Sequence, residues 1–199
     1  MIKQYVRVVG VAVIALSVLH GCGAPEDYVG MEAVVETSQK KVPKWVKKPP
    51  KPSRKYYYFV GQEDGKTRSD VYAYQRAISE ISSFLNTRAQ TLYAQKETGD
   101  GLSTLSKYRE SYIQLVSNAS IRGALRKDRY MEKIKKTLDN GHDRFFRHYV
   151  LVAISKKDLK ASEARTLEQQ INTAQETDPD AADALIAIQS TIQQTVVED

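Results

Sequence analysis

The chain holds one cysteine, Cys22, which leaves no internal disulfide and no thiolate metal site. Histidine is almost as scarce: His20, His142 and His148 are all there is. His142 and His148, with Asp139 and Asp143 near the first, are groups that can ligate a metal, but metal ligands on turns and strands usually come as three or four groups at tight spacing. We read both as solvated groups on a turn and a strand face. The longest apolar run, Val8 to Leu19, is twelve residues, short of the roughly 20 needed to cross a bilayer. The six prolines are mostly clustered. No 20–50-residue repeat is present. There is no Gly-rich phosphate loop, no nucleophile elbow, and no pair of carboxylates in apolar surroundings. These absences predict a protein that is not an enzyme and takes no cofactor.

What is present begins with the leader. Lys3 and Arg7 precede the apolar run, and Leu19-His20-Gly21-Cys22 follows it. This charged-then-apolar order is that of an export signal. An apolar residue three before a cysteine, with a small one just before it, resembles a bacterial lipoprotein signal. His20 departs from that pattern. The resemblance implies cleavage before Cys22, a diacylglycerol on its thiol, and a lipid-anchored protein. Gly23, being other than Asp, implies the outer membrane, on its periplasmic or surface face. Three acyl chains make a stable anchor, at about 0.8 kcal/mol per buried methylene. Loss of residues 1–21 leaves 178 residues and lowers the formal net charge from +6 to +4. That length suits one domain with appendages.

Residues 22–55 read as a lipidated tether and a basic, Pro-rich linker. Gly23 to Thr37 is small, polar and weakly patterned. From Ser38 to Lys55 there are eight cations (Lys40, Lys41, Lys44, Lys47, Lys48, Lys51, Arg54, Lys55), four prolines and no acid. The prolines favour an extended, semi-rigid spacer of about 3.1 Å per residue. The cations suit contact with an anionic surface, peptidoglycan or lipopolysaccharide, at about 1 kcal/mol each close to such a surface. An exported protein has no nucleic acid to meet, so none is expected as a partner. Trp45, alone among lysines, is expected at the domain edge or against a partner.

Residues 56–155 read as the folded domain. Tyr56 to Gly61 is aromatic and β-branched, hence a strand. Glu63-Asp64-Gly65 reads as a turn. A helix follows to about Lys96, with Val71, Tyr74, Ile78, Ile81, Leu85 and Leu92 on one face. Ala73, Ala77 and Ala89 beside that stripe allow close approach of a neighbour. Gly99-Asp100-Gly101 ends the helix. Leu102 to Ala119 fits a helix, although Tyr112 to Ser117 alone also fits a strand. Asn140-Gly141 predicts a hairpin, and Phe145 to Ile154 is the clearest strand, apolar enough to be covered on both faces. Residues 156–199 carry four cations and nine acids and read as an acidic helical tail. Ser155 to Asp158 forms a capping box, and Asp178-Pro179 starts a second helix. The expected fold is α+β: a small antiparallel sheet of about three strands on a long helix, with a C-terminal helical tail.

Pro43-Lys44-Trp45-Val46 before a Pro-rich break, the strand ending Phe59-Val60-Gly61, the helix through Ile81 to Phe84, and the late Tyr149-Val150-Leu151-Val152 together resemble a known family. It is the small, roughly twenty-kilodalton surface lipoproteins of Gram-negative bacteria, which include flagellum-associated outer-membrane lipoproteins. Phe59, in place of a small residue, and the long basic run depart from the pattern. The resemblance implies a compact α+β domain without catalytic residues. It also implies a role in envelope or flagellar assemblies, with protein partners or self-association. Binding of peptidoglycan or lipopolysaccharide is the alternative expectation.

Overall fold

The computed structural model describes residues 28–94, 96 and 102–194. The leader and Cys22, with the lipidation expected of it, lie outside the described residues. So does Gly99-Asp100-Gly101.

The fold is α+β. Four antiparallel strands form one sheet: β1 (Glu32–Thr37), β2 (Tyr56–Gly65), β3 (Leu125–Leu138) and β4 (Gly141–Ser155), in the order β1-β3-β4-β2. The helices are α1 (Lys44–Lys47), α2 (Val71–Ala94), α3 (Leu102–Arg122), α4 (Lys156–Thr177) and α5 (Pro179–Gln194). None among the described residues is long and apolar enough to cross a membrane. The sheet has one strand more than expected, because Glu32–Thr37, read as tether, pairs with β3. Its lack of alternation hid it: Ala33, Val34 and Val35 are consecutive, and both valines are exposed. Side chains on an edge strand need not be apolar, since the ladder rather than the core holds it.

The β3–β4 hairpin sits where Asn140-Gly141 predicts, by a different geometry. Asp139 and Asn140 form the turn with negative φ, and Gly141 closes it at φ +129°. That is a turn finished by a left-handed glycine. Glu63-Asp64-Gly65 is not a turn but the end of β2, in register with His148, Arg147 and Phe146.

Along β4, Val150, Val152 and Ile154 face the helices and join their core, which includes Ile81, Leu85, Tyr93, Tyr112, Leu167 and Leu185. The helix α2 comes very close to β2. A Cβ on Gly61 would lie 1.8 Å from the Ala73 carbonyl oxygen and 2.5 Å from the Ala77 amide nitrogen. The buried stripe of α2 is therefore Ala73, Ala77, Ile81, Leu85, Ala89 and Tyr93, while Val71 is half exposed. Leu102–Arg122 is a helix. The C-terminal helices are not a loose appendage: α4 and α5 bury Leu159, Leu167, Leu185 and Ile188 in the same core. Their caps form as the sequence predicts, with Ser155 Oγ accepting from the Asp158 amide (3.2 Å) and Asp178 Oδ1 from the Ala181 amide (3.1 Å).

Candidate functional site

Strands β1 and β2 occupy opposite edges of the sheet. The segment joining them, residues 38–55, must therefore cross β3 and β4 on one face. The helices occupy the face of Val150 and Val152. Alternation puts Asp128, Tyr130, Leu151 and Ala153 on the other face, where the register sets Asp128 beside Leu151 and Tyr130 beside Tyr149. Trp45 Nε1 donates to Asp128 Oδ2 at 2.8 Å, which lays the segment across this second face. Tyr130, Leu151 and Ala153 are buried although they stand outside the helical core. The Pro-rich segment is thus a strap covering the sheet, not a free spacer. Only its middle is helical, for the single turn of α1.

The strap divides its residues by type. Pro43, Trp45, Val46, Pro50 and Ser53 are half-buried, while all eight cations are exposed. Further bonds fix both ends. Gln39 Nε2 donates to the Arg129 carbonyl (3.1 Å) and the Ser38 amide to the Met131 carbonyl (2.9 Å). At the far end the Tyr56 amide donates to Ser53 Oγ (3.0 Å). None of the eight strap cations has an acidic partner among the described residues. Elsewhere nine cations do: Lys66, Arg68, Arg76, Arg88, Arg126, Arg129, Lys133, Lys136 and Arg147 all meet carboxylates. The structure therefore gathers the sequence-predicted contact residues onto one face. Trp45 alone turns inward, as the strap's fastening.

Two other polar groupings serve the fold. A cleft of about 430 Å³ lies where the β2–α2 loop meets β1 and β3, lined by Ser38, Arg68, Asp70, Arg129 and His148 among others. Its charges are spent on one another. Arg68 Nη2 meets Glu36 (2.7 Å), and Arg126 Nη1 meets both Asp70 oxygens (3.1 and 3.2 Å). His148 is buried, not solvated, because its Nε2–H donates to the Thr67 carbonyl (2.9 Å) and fixes the loop. His142 stands six residues along the same strand, about 20 Å away, so the two histidines cannot share an ion. No cluster of three or more His, Cys, Asp or Glu side chains suited to a metal exists among the described residues.

The second grouping was missed in the sequence. Glu163, fully buried, accepts from Arg88 Nε (2.7 Å) and Tyr112 Oη (2.9 Å), joining α4 to α2 and α3. Gln170 accepts from Tyr93 Oη (2.9 Å) and donates to the Tyr108 carbonyl (2.6 Å). The signal was there: Glu163 stands midway between Leu159 and Leu167 on the apolar stripe of α4. Burial pulls the Arg88 guanidinium down, but its hydrogen bond and charge contact with Glu163 win and hold it above its ordinary range. Burial, reinforced by the Glu163 charge, pushes the Tyr112 hydroxyl far up, and burial alone does the same to Tyr93.

Comparison of the chain with protein-family profiles, curated proteins and solved structures finds no match.

Proposed function

We propose that this protein is a non-catalytic envelope lipoprotein, a structural or assembly component of an outer-membrane-associated machine of the flagellar kind. The leader and Cys22 support the anchor, and the resemblance noted in the sequence supports the setting. The observation that carries the assembly role is the open edge of β2. The Lys156 amide donates to the Lys55 carbonyl, so alternate residues from Lys55 onward pair with β4. Tyr58, Val60, Gln62 and Asp64 then direct their backbone groups away from the sheet, where they meet no backbone partner among the described residues. Natural proteins blunt such an edge with charged side chains, lysine above all, with proline or with a bulge; the two acids of β2, Glu63 and Asp64, are paired with Arg76 and Arg147. The ten residues of β2 contain no lysine and no proline, and its pairing with β4 runs without a register shift. An edge of this kind suits strand addition by a protein partner or another copy.

The test is mass spectrometry of the native protein together with cross-linking in intact cells. A diacylglycerol on Cys22 and cross-links from β2 to an envelope protein or a second copy are expected. An unacylated chain retaining its first twenty-one residues, monomeric and recovered from the cytosol, overturns the reading.

A further inference from the structure

We propose that the strap is a docking face for phosphate-bearing lipid headgroups, and that it lays the domain flat on an anionic bilayer with the helices outward. The inference rests on the anchoring proposed above, which brings a bilayer within reach; its basis in the fold is independent of any assembly role.

Three observations carry it. First, Lys44, Lys47, Lys48, Lys51, Arg54 and Lys55 are exposed on a segment held by its own Trp45 and prolines. The cations are therefore displayed on a fixed support and not on a free coil, and less ordering is needed when they bind. Second, none has an acidic partner among the described residues, whereas nine of the twenty other described cations meet carboxylates. Unpaired charge is free to act on an outside partner. Third, the charges spread across a sheet face and do not converge on a pocket. That suits a two-dimensional array of headgroups rather than one small anion. All but one of the strap's eight cations are lysines, compact hydrated charges without the bidentate fork by which arginine selects a defined phosphate geometry. The attraction of each lysine to an anionic leaflet is screened within a Debye length.

Trp45 is the only tryptophan in the chain and sits within the strap, so its emission reports this face. The full-length acylated protein is reconstituted into vesicles carrying a trace of dansyl-labelled lipid, either zwitterionic or with about a third anionic phospholipid. Energy transfer from Trp45 to dansyl should be higher on the anionic vesicles and fall to the zwitterionic level in about 1 M salt, where the Debye length is about 3 Å. Replacing Lys44, Lys47, Lys48 and Lys51 together with Gln should abolish the difference, and replacing them with Arg should keep it. Lys157→Gln with Arg165→Gln, on the opposite face, should leave it intact. Unchanged circular dichroism of each variant shows that the fold survives.

Inorganic phosphate should neither alter Trp45 emission nor compete below the ionic strength that screens the effect. Competition at millimolar phosphate would point to a discrete anion site and overturn the lipid assignment. Equal transfer on both vesicle types overturns the proposal, as does salt-sensitive binding confined to peptidoglycan or to duplex DNA. Failure to float with zwitterionic vesicles instead condemns the anchor. The two failures are thus told apart.

Discussion

At the scale of single residues, Gly61 explains the most. Its missing side chain lets the backbone of α2 settle onto β2, with Ala73 and Ala77 directly above. The sequence displays the apolar residues of α2 plainly, but not which of them face inward. The larger ones, Val71, Tyr74 and Ile78, suggest a stripe that the structure rotates towards the alanines. Close approach selects for small size, and hydrophobicity alone does not register it. Gly61→Ala puts a methyl into backbone atoms that cannot turn aside, so α2 must shift. Overpacking of this kind costs about 1–3 kcal/mol or more, and urea denaturation should show a loss in that range or failure to fold. A change below about 0.5 kcal/mol contradicts the packing described.

At the scale of elements, the long periodic segments were legible and the short contextual ones were not. The α2 helix, the hairpin, the final strand and both C-terminal caps follow from periodicity, turn chemistry and capping residues, whereas the sequence leaves α3 open between helix and strand over Tyr112 to Ser117. β1 escaped because its six residues, Ala33, Val34 and Val35 between Glu32, Glu36 and Thr37, show no alternating pattern and gain strand structure only by pairing with β3, which lies far along the chain. The strap escaped because a Pro- and Lys-rich composition describes a linker unless something fastens it, and its fastening, Asp128, is 83 residues from Trp45. The nine residues expected to meet an anionic surface all lie on this strap, and their arrangement there came only from the sheet order. Trp45→Ala removes the bond to Asp128 and a half-buried ring together. Local opening of the strap should then be easier, and trypsin should cut after Lys44 or Lys47 about tenfold faster or more. The trypsin-resistant remainder should be unchanged in size. Equal rates in the two proteins show that the strap is not tied down through Trp45.

At the scale of the whole molecule, three layers are held by different means: an unpaired cationic strap, a sheet, and a helical layer with a buried polar network. That network sets the alkaline limit of stability. In the unfolded chain, Tyr93 and Tyr112 ionise near pH 10; in the folded protein burial keeps both neutral well above that. The unfolded state therefore loses protons first. The stability tied to these groups is intact below about pH 10 and declines as pH rises, by about 1.4 kcal/mol per unit for each tyrosine. Thermal melts between pH 8 and 12 should fall steeply above 10, with tyrosinate absorbance at these two sites appearing only on unfolding. Tyr112→Phe should lessen the slope by one tyrosine's share, about 1.4 kcal/mol per pH unit. Ionisation of every tyrosine near pH 10 with the fold intact contradicts this account.

The way the strap crosses the sheet also orders events in time. Residues 38–55 leave the ribosome and any export channel early, yet the surface they cover is made by β3 and β4, which arrive some eighty residues later. Nothing is there for Trp45 to rest on until that hairpin has closed, so a stretch that emerges early is among the last to be fixed. Until then its lysines travel uncovered beside the nascent chain, and whatever escorts the protein to its destination meets them before it meets the fold.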